Sequence, residues 1–420
     1  MTETKPFSIS KHVVWEAYQR VKSNKGSAGV GDQSIAEFEV ELKANLYRIW
    51  NRMSSGSYFP PAIRAVPIPK KSGGERILGV PTVADRIAQT VVTLTLEPVI
   101  EPHFHEDSNG YRRGKSAHQA LTVTQERCWR HDWVLEYDIR GLFDNIDHEL
   151  LLKALRHHVK DRWVLLYVER WLIAPMQRHD GLLIQRDRGT PQRGPLSPVL
   201  ANLFLHYAID AWLSRTHAHV AFSRYADDGI LHCRSKSQAV YLCKKLAARL
   251  MQCGLELHPQ KTRIVYCKDA NRPEQHDEIQ FDFLGSTFKP RWSRNRHGIV
   301  FLGFGASASR ESLKAMRQKV RSWRLHLKSE TSLQGLAAQC SATIRGWMNY
   351  YCYFRGSEFQ IMARHIDLVL VRWAMRKYKR LNKRRKRAVR WLEQQFLKYR
   401  NLLPHWSLSN WFTAGTMGAQ

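Results

Sequence analysis

Residues 224–229 read Arg-Tyr-Ala-Asp-Asp-Gly, with apolar Ala221 and Phe222 before them and Ile230 and Leu231 after. The pattern predicts two short strands, 221–225 and 229–233, joined by a tight turn that carries two adjacent carboxylates. Asp suits a turn because it tolerates unusual backbone angles, but a turn needs only one. Two like charges at the tip of a buried hairpin require something cationic nearby. Hydrated Mg²⁺ meets that need, since it takes hard oxygen ligands from a few carboxylates and keeps several waters. Two such ions can activate an attacking hydroxyl and hold a leaving oxygen in phosphoryl transfer.

A third carboxylate should come from a neighbouring strand. Trp-Val-Leu-Glu-Tyr-Asp (133–138) is apolar and β-compatible, which puts Asp138 at a strand end facing the next loop. Asp138 and Asp227 are the expected principal pair, with Asp228 third. Asp144 and Asp147 lie close in sequence but precede a helix, and Asp147 stands where an N-cap belongs, ahead of the stripe Leu150, Leu151, Ala154 and Leu155.

The partner class follows from charge. Sixty-six Lys and Arg against 37 Asp and Glu leave +29, and a surplus of that size calls for a polyanion, of which nucleic acid is the usual one. Seven scattered cysteines, none in a Cys-x-x-Cys pair, argue against a disulfide framework and a zinc finger. No signal pattern and no long apolar run occurs, so the expectation is a cytoplasmic protein without a membrane partner. Along the chain, residues 1–60 look helical, with Trp15, Tyr18 and Val21 at helical spacing, and 61–290 mix short strands with helices. A helical, aromatic section spans about 306–370, and 371–390 hold eleven Lys/Arg and no acid.

Tyr-Ala-Asp-Asp at 225–228, with Asp138 and Phe143 in a D-x-x-x-x-F element, resembles the palm of a reverse transcriptase. NKGSAGVGD (24–32), IPKKSGGERILGVPTVADRIAQ (68–89), NGYRRGKSAHQAL (109–121), GTPQRGPLSPVLANLFLH (189–206), GLELHPQKTRIV (254–265) and FDFLGSTF (281–288) resemble, in order, blocks of the enzymes encoded by group II introns. IRGWMNYYCYF (344–354) is similar to their maturase or thumb domain. The resemblance implies an α+β fold: a right-handed palm and fingers, built of antiparallel sheet with helices, then an α-helical thumb or maturase domain and a small basic helical module. The expected boundaries are 1–300, 306–370 and 371–420.

The family's roles carry over residue by residue. Asp138, Asp227 and Asp228 would hold two Mg²⁺, for which Mn²⁺ can substitute. Phe143 matches a steric gate that excludes a 2′-hydroxyl; otherwise it is a core aromatic. Lys70 and Arg76, flanking a Ser-Gly-Gly turn, match fingers cations that fold over a triphosphate, and Gln192 matches a residue touching the incoming nucleotide. Tyr225, Lys261 and Arg193 are expected near primer or template. Arg193 departs from the pattern, because relatives commonly carry glycine after Thr-Pro-Gln, and this puts the shape of that loop in doubt.

Arg345 beside the aromatic run, and Arg376, Lys377, Lys379, Arg380, Lys383, Arg384, Arg385, Lys386 and Arg387, are expected to grip nucleic-acid phosphates. The aromatics themselves can stack on bases or pack on each other. With no cysteine after Cys352, the chain resembles the compact class that lacks the endonuclease domain. The expected function is an RNA-directed DNA polymerase and maturase that binds its intron RNA, promotes splicing and copies the RNA from a target-DNA primer. Its expected partners are structured intron RNA, an RNA template with DNA primer, target DNA and deoxynucleoside triphosphates, with a homodimer as a further option. Competing readings are a domesticated reverse transcriptase in DNA repair or phage defence, and a splicing-only RNA-binding maturase. An RNA-dependent RNA polymerase is weaker, since it would have to admit the hydroxyl that Phe143 should exclude.

Overall fold

The computed structural model describes residues 5–69, 74–294 and 297–408. The fold is α+β, and the chain forms two compact units, one from 1–120 with 135–264 and one from 121–134 with 265–420. In the first unit, the helix Lys11–Asn24 starts at Ser10, whose side chain accepts from the His12 amide, and buries Val14, Ala17, Tyr18 and Val21. Trp15, expected on that face, is 45% exposed. Repeated steps of three residues drift around a helix of 3.6 residues per turn, which carries Trp15 out of the stripe.

Strands β1 (Ile63–Pro69) and β2 (Glu75–Val80) form an antiparallel hairpin with Ile68 opposite Arg76. Lys70, expected at its tip, lies outside the described residues. Strand β3 (Trp133–Asp138) follows, then the short β4 (Met176–Gln177) and β5 (Leu183–Ile184), which complete a sheet in the order β2-β1-β4-β5. Strands β6 (Phe222–Tyr225), β7 (Asp228–Cys233) and β8 (Arg263–Tyr266) join β3 in a second sheet, in the order β6-β7-β3-β8. That order makes β7 and β3 neighbours, so the hairpin and Asp138 belong to adjacent strands.

The helix Val83–Ile100 runs through the core and encloses a fully buried carboxylate, Asp85. Tyr58 and Trp171 donate to its Oδ1 at 2.9 and 2.7 Å, and Gln89 donates to Oδ2 at 2.9 Å. Burial nevertheless pushes its carboxyl pKa up to about 6. Asp147 caps the helix His148–His158 by accepting from the Leu150 amide at 2.8 Å; Leu151 and Leu155 are buried there while Leu150 is exposed.

In the second unit, β9 (Phe281–Phe283), β10 (Ser286–Arg294) and β11 (Val300–Ala308) form an antiparallel sheet, with β10 central. A helical stretch, Leu333–Lys377, is interrupted at Arg355, and the helix Arg385–Lys398 follows. Trp373, Leu392 and Trp406 share one apolar core with Leu336, Ile344 and Phe359. Asp367 fastens the end of this unit by accepting from Trp406 Nε1 at 3.0 Å, with His405 Nε2 2.9 Å from the same oxygen. No helix among the described residues is long and apolar enough to cross a membrane.

Candidate active site

The hairpin turn is shaped by a residue other than the carboxylates. Ala226, and neither Asp227 nor Asp228, takes the left-handed backbone, at φ 56°. Asp228 instead pairs with Tyr225 as the first residue of β7. A non-glycine residue holds that conformation only where its surroundings impose it. Arg224, fully buried, supplies the constraint: its Nη1 donates to the Ala226 carbonyl at 3.0 Å. The same guanidinium donates Nε to Asp210 Oδ1 at 2.8 Å and Nη2 to Asp210 Oδ2 at 2.6 Å, and it reaches Ser108 Oγ at 2.7 Å. Gly110 sits so close that a Cβ there would lie 2.4 Å from the Ala226 nitrogen. Gly229 likewise faces the Tyr137 ring, where a Cβ would meet Cζ at 2.2 Å.

Asp138, Asp227 and Asp228 come together at this turn. Burial raises the Asp227 carboxyl pKa, and the neighbouring Asp138 adds to it. For Asp228, burial first, then Asp227 and Asp138, push the value up to about 7. Asp228 keeps an outer face open to solvent, so water moderates a shift that protein atoms and two other carboxylates create. Lys261 Nζ donates to Asp138 Oδ2 at 2.5 Å. Its ammonium loses hydration there, but the hydrogen bond and the three carboxylates outweigh this and hold its pKa above the ordinary lysine value.

The donor set has the chemistry a hard divalent cation prefers: carboxylate oxygens whose mutual repulsion a cation would relieve. It is not closed into a ready ligand shell. Among the described residues no group of three or more His, Cys, Asp or Glu side chains is arranged to hold an ion. The Lys261 ammonium on Asp138 holds part of the counter-charge in its place.

A second constellation links three segments of the same unit. Arg76, on β2, donates through Nε to Gln192 Oε1, and Gln192 Nε2 donates to Asp144 Oδ1 at 3.2 Å. The loop carrying Gln192 is strapped to the short helix Leu142–Asn145, since the Thr190 amide donates to the Phe143 carbonyl and the Gly189 amide to the Ile146 carbonyl, both at 2.7 Å. Gly189 is needed here, because a Cβ would lie 2.6 Å from the Phe143 oxygen. Phe143 itself is largely buried. Arg193 is exposed at φ 87°, a conformation that suits the glycine of the pattern and strains an arginine by about 1 kcal/mol or more.

Sequence reasoning missed Tyr111, Asp210 and the role of Arg224. Tyr111 is half exposed and lies in the field of Asp227, Tyr225, Arg76 and Asp228; partial loss of hydration, then Asp227, raises its phenol pKa. The signal available was the block NGYRRG, read above as one unit without assigning its tyrosine.

In the second unit, packing claims part of the aromatic run: Trp347 stacks on Trp323 at 5.8 Å, and Tyr350 donates to the Leu284 carbonyl at 2.8 Å. Tyr353 stays exposed. Arg345, Arg376, Lys379, Arg380 and Lys383 to Arg387 are also exposed. Lys377 instead donates to the carbonyls of Ser329 at 2.7 Å and Thr331 at 3.1 Å.

Residues 68–306 match the family described as reverse transcriptase (RNA-dependent DNA polymerase), and 313–391 match the group II intron maturase-specific domain. Among curated proteins, the chain is 35% identical over 207 residues to the group II intron-encoded protein LtrA of Lactococcus lactis subsp. cremoris, covering 48% of this chain and 33% of that protein. The chain thus spans about a third of that relative's length. It is 29% identical over 349 residues to protein YkfC of Escherichia coli K12, covering 73% and 88% of the two chains. A match to nuclear intron maturase 4, mitochondrial, of Arabidopsis thaliana has 27% identity over 157 residues, covering 37% of this chain and 20% of that one.

Proposed function

The chain belongs to the reverse transcriptase family and carries a group II intron maturase-specific domain, and on that premise we propose that it is an RNA-directed DNA polymerase that also serves as a maturase. The observation that carries the reading is the convergence of three carboxylates: Asp138 at the end of β3, Asp227 in the hairpin turn and Asp228 at the start of the neighbouring β7. Its substrates are an RNA template with a DNA primer, and deoxynucleoside triphosphates. Its maturase partner is a structured intron RNA, and target DNA supplies the primer during intron mobility. It works in the cytoplasm, on nucleic acid.

In the reaction the primer 3′-hydroxyl oxygen bonds to the α-phosphorus, the bond to the bridging oxygen breaks, pyrophosphate leaves and the hydroxyl proton passes to solvent. Asp138, Asp227 and Asp228 would hold two Mg²⁺ or Mn²⁺, which when bound activate the hydroxyl and neutralise the leaving charge. Arg76, with Lys70, holds the triphosphate, and Gln192 lies against the nucleotide, aligned by its bond to Asp144. Phe143 underlies the sugar and excludes a 2′-hydroxyl. Tyr225, Lys261 and Arg193 meet primer or template, and Arg345 with the exposed cations of 376–387 binds phosphates.

The test is extension of oligo(dT) on poly(rA). The wild type should extend it only with Mg²⁺ or Mn²⁺, and Asp227→Asn should lose at least about a thousandfold in rate, roughly 4 kcal/mol at the barrier, while still binding RNA. Full activity of a clean Asp227→Asn preparation removes Asp227 from the site.

A further inference from the structure

A second feature of the first unit involves none of the three carboxylates. The helices Lys11–Asn24 and Val83–Ile100 and the loop after Gln192 enclose a cavity of about 330 Å³, lined in part by Arg20, Lys25, Arg86 and Arg193. Among the described residues no carboxylate lines it. Its size falls at the lower end of small-ligand sites, about 300–1,000 Å³. Arg20 is already paired with Glu16 at 2.8 Å. Arg86 is not: its Nε and Nη2 are buried and have no hydrogen-bond partner among the described residues. Arg86 is partly buried, and idle donors on its inward side are costly unless something anionic completes them. Gly26 lets this side chain in, since a Cβ there would lie 2.1 Å from Arg86 Nη1.

Two of the other cations are held under strain. Lys25 has φ 50° and Arg193 has φ 87°, both left-handed conformations in which glycine would be relaxed. Residues kept in such conformations concentrate at sites of function. Here two long cationic side chains occupy strained positions and line the same cavity as the unpartnered guanidinium.

We propose that this cavity is a phosphate-binding site, in which Lys25, Arg86 and Arg193 receive one phosphate oxyanion group. Arginine's planar fork suits phosphate oxygens, and lysine adds a point charge. The group comes either from the backbone of the nucleic-acid strand or from a free phosphate such as released pyrophosphate. The proposal rests on the polymerase reading only for the choice of these two sources.

The experiment compares the full chain with Lys25→Gly/Arg193→Gly and with Arg86→Gln. Glycine suits both left-handed positions, so the double variant should melt no lower than the wild type. Anisotropy of a labelled RNA template annealed to a DNA primer is followed from 50 to 300 mM KCl. If a strand phosphate is bound, the double variant should bind about tenfold more weakly near 150 mM, with a log–log salt slope shallower by about 0.7–0.9, as one lost phosphate contact requires. If free phosphate is bound, sodium pyrophosphate should raise the melting temperature of the wild type and not of either variant. A shift in both readouts means that the site accepts both forms. Unchanged salt slope together with unchanged pyrophosphate response, in both variants, overturns the proposal. Binding is read without turnover, so an inactive enzyme with an intact cavity response would sink the polymerase reading and leave this one standing.

Discussion

Lys261 and Asp138 stand 123 positions apart in sequence and meet at 2.5 Å, ammonium on carboxylate. The lysine neutralises part of a site holding three acids, and it competes for the same oxygens as any divalent ion. Lys261→Gln should therefore tighten Mn²⁺ binding to the nucleic-acid-free protein by about three- to tenfold, the scale of one nearby charge in a partly solvated site. Intrinsic fluorescence titration reads this. Weaker Mn²⁺ binding would show that Lys261 organises the carboxylates instead of competing for them.

Asp228 should make the metal-free protein sensitive to pH. Its folded pKa, near 7, lies above the unfolded carboxyl value, so the folded state binds more protons between about 4 and 7. Its contribution to stability is complete below about pH 4 and is lost as pH rises through 7. Urea unfolding in EDTA at several pH values should show Asp228→Asn, which stays neutral, close to the wild type near pH 4 and increasingly more stable than it as pH rises through 7, and saturating Mg²⁺ should oppose the wild type's loss at pH 7. A wild type that gains stability relative to Asp228→Asn as pH rises would place a cation, not carboxylates, next to Asp228.

Phe143 follows Asp138 by five positions and is braced through its carbonyl by Thr190. Phe143→Val should admit ribonucleotides, raising their kcat/KM relative to deoxynucleotides by about a hundredfold, or roughly 2.7 kcal/mol of discrimination. Single-nucleotide addition kinetics with paired dNTP and rNTP measures it. A variant that rejects ribonucleotides as well as the parent moves the sugar gate elsewhere.

Asp210 and Arg224 form a buried ion pair behind the hairpin. Asp210→Ala strands the guanidinium charge and should cost about 3–5 kcal/mol of stability. Arg224→Met with Asp210→Leu removes both charges and should recover much of that. It also frees the Ala226 carbonyl, so extension should stay impaired in the refolded double variant. Recovery of stability and full activity together would show that the turn holds without Arg224.

The hairpin, the strand ending at Asp138 and the Asp147 cap were legible in the sequence because each depends on neighbours within a few residues, and alternating apolar residues or a capping side chain report such arrangements directly. The order of the blocks extended this to the family. What the sequence could not supply is contact between distant segments. Nothing local marks Ala226 as the left-handed residue, since Arg224 imposes it with Asp210 and Ser108. Gln192 is aligned by Arg76 and Asp144, 116 and 48 positions away. The basic segment after 370 read as a separate module by charge, yet the helical stretch Leu333–Lys377 runs through that point, and Trp373, Trp391 and Trp406 lie in the core of the second unit. Charge is a property of composition and is visible residue by residue. Burial, strain and the partner of a guanidinium exist only once the chain has closed on itself, and there the tertiary structure alone decided.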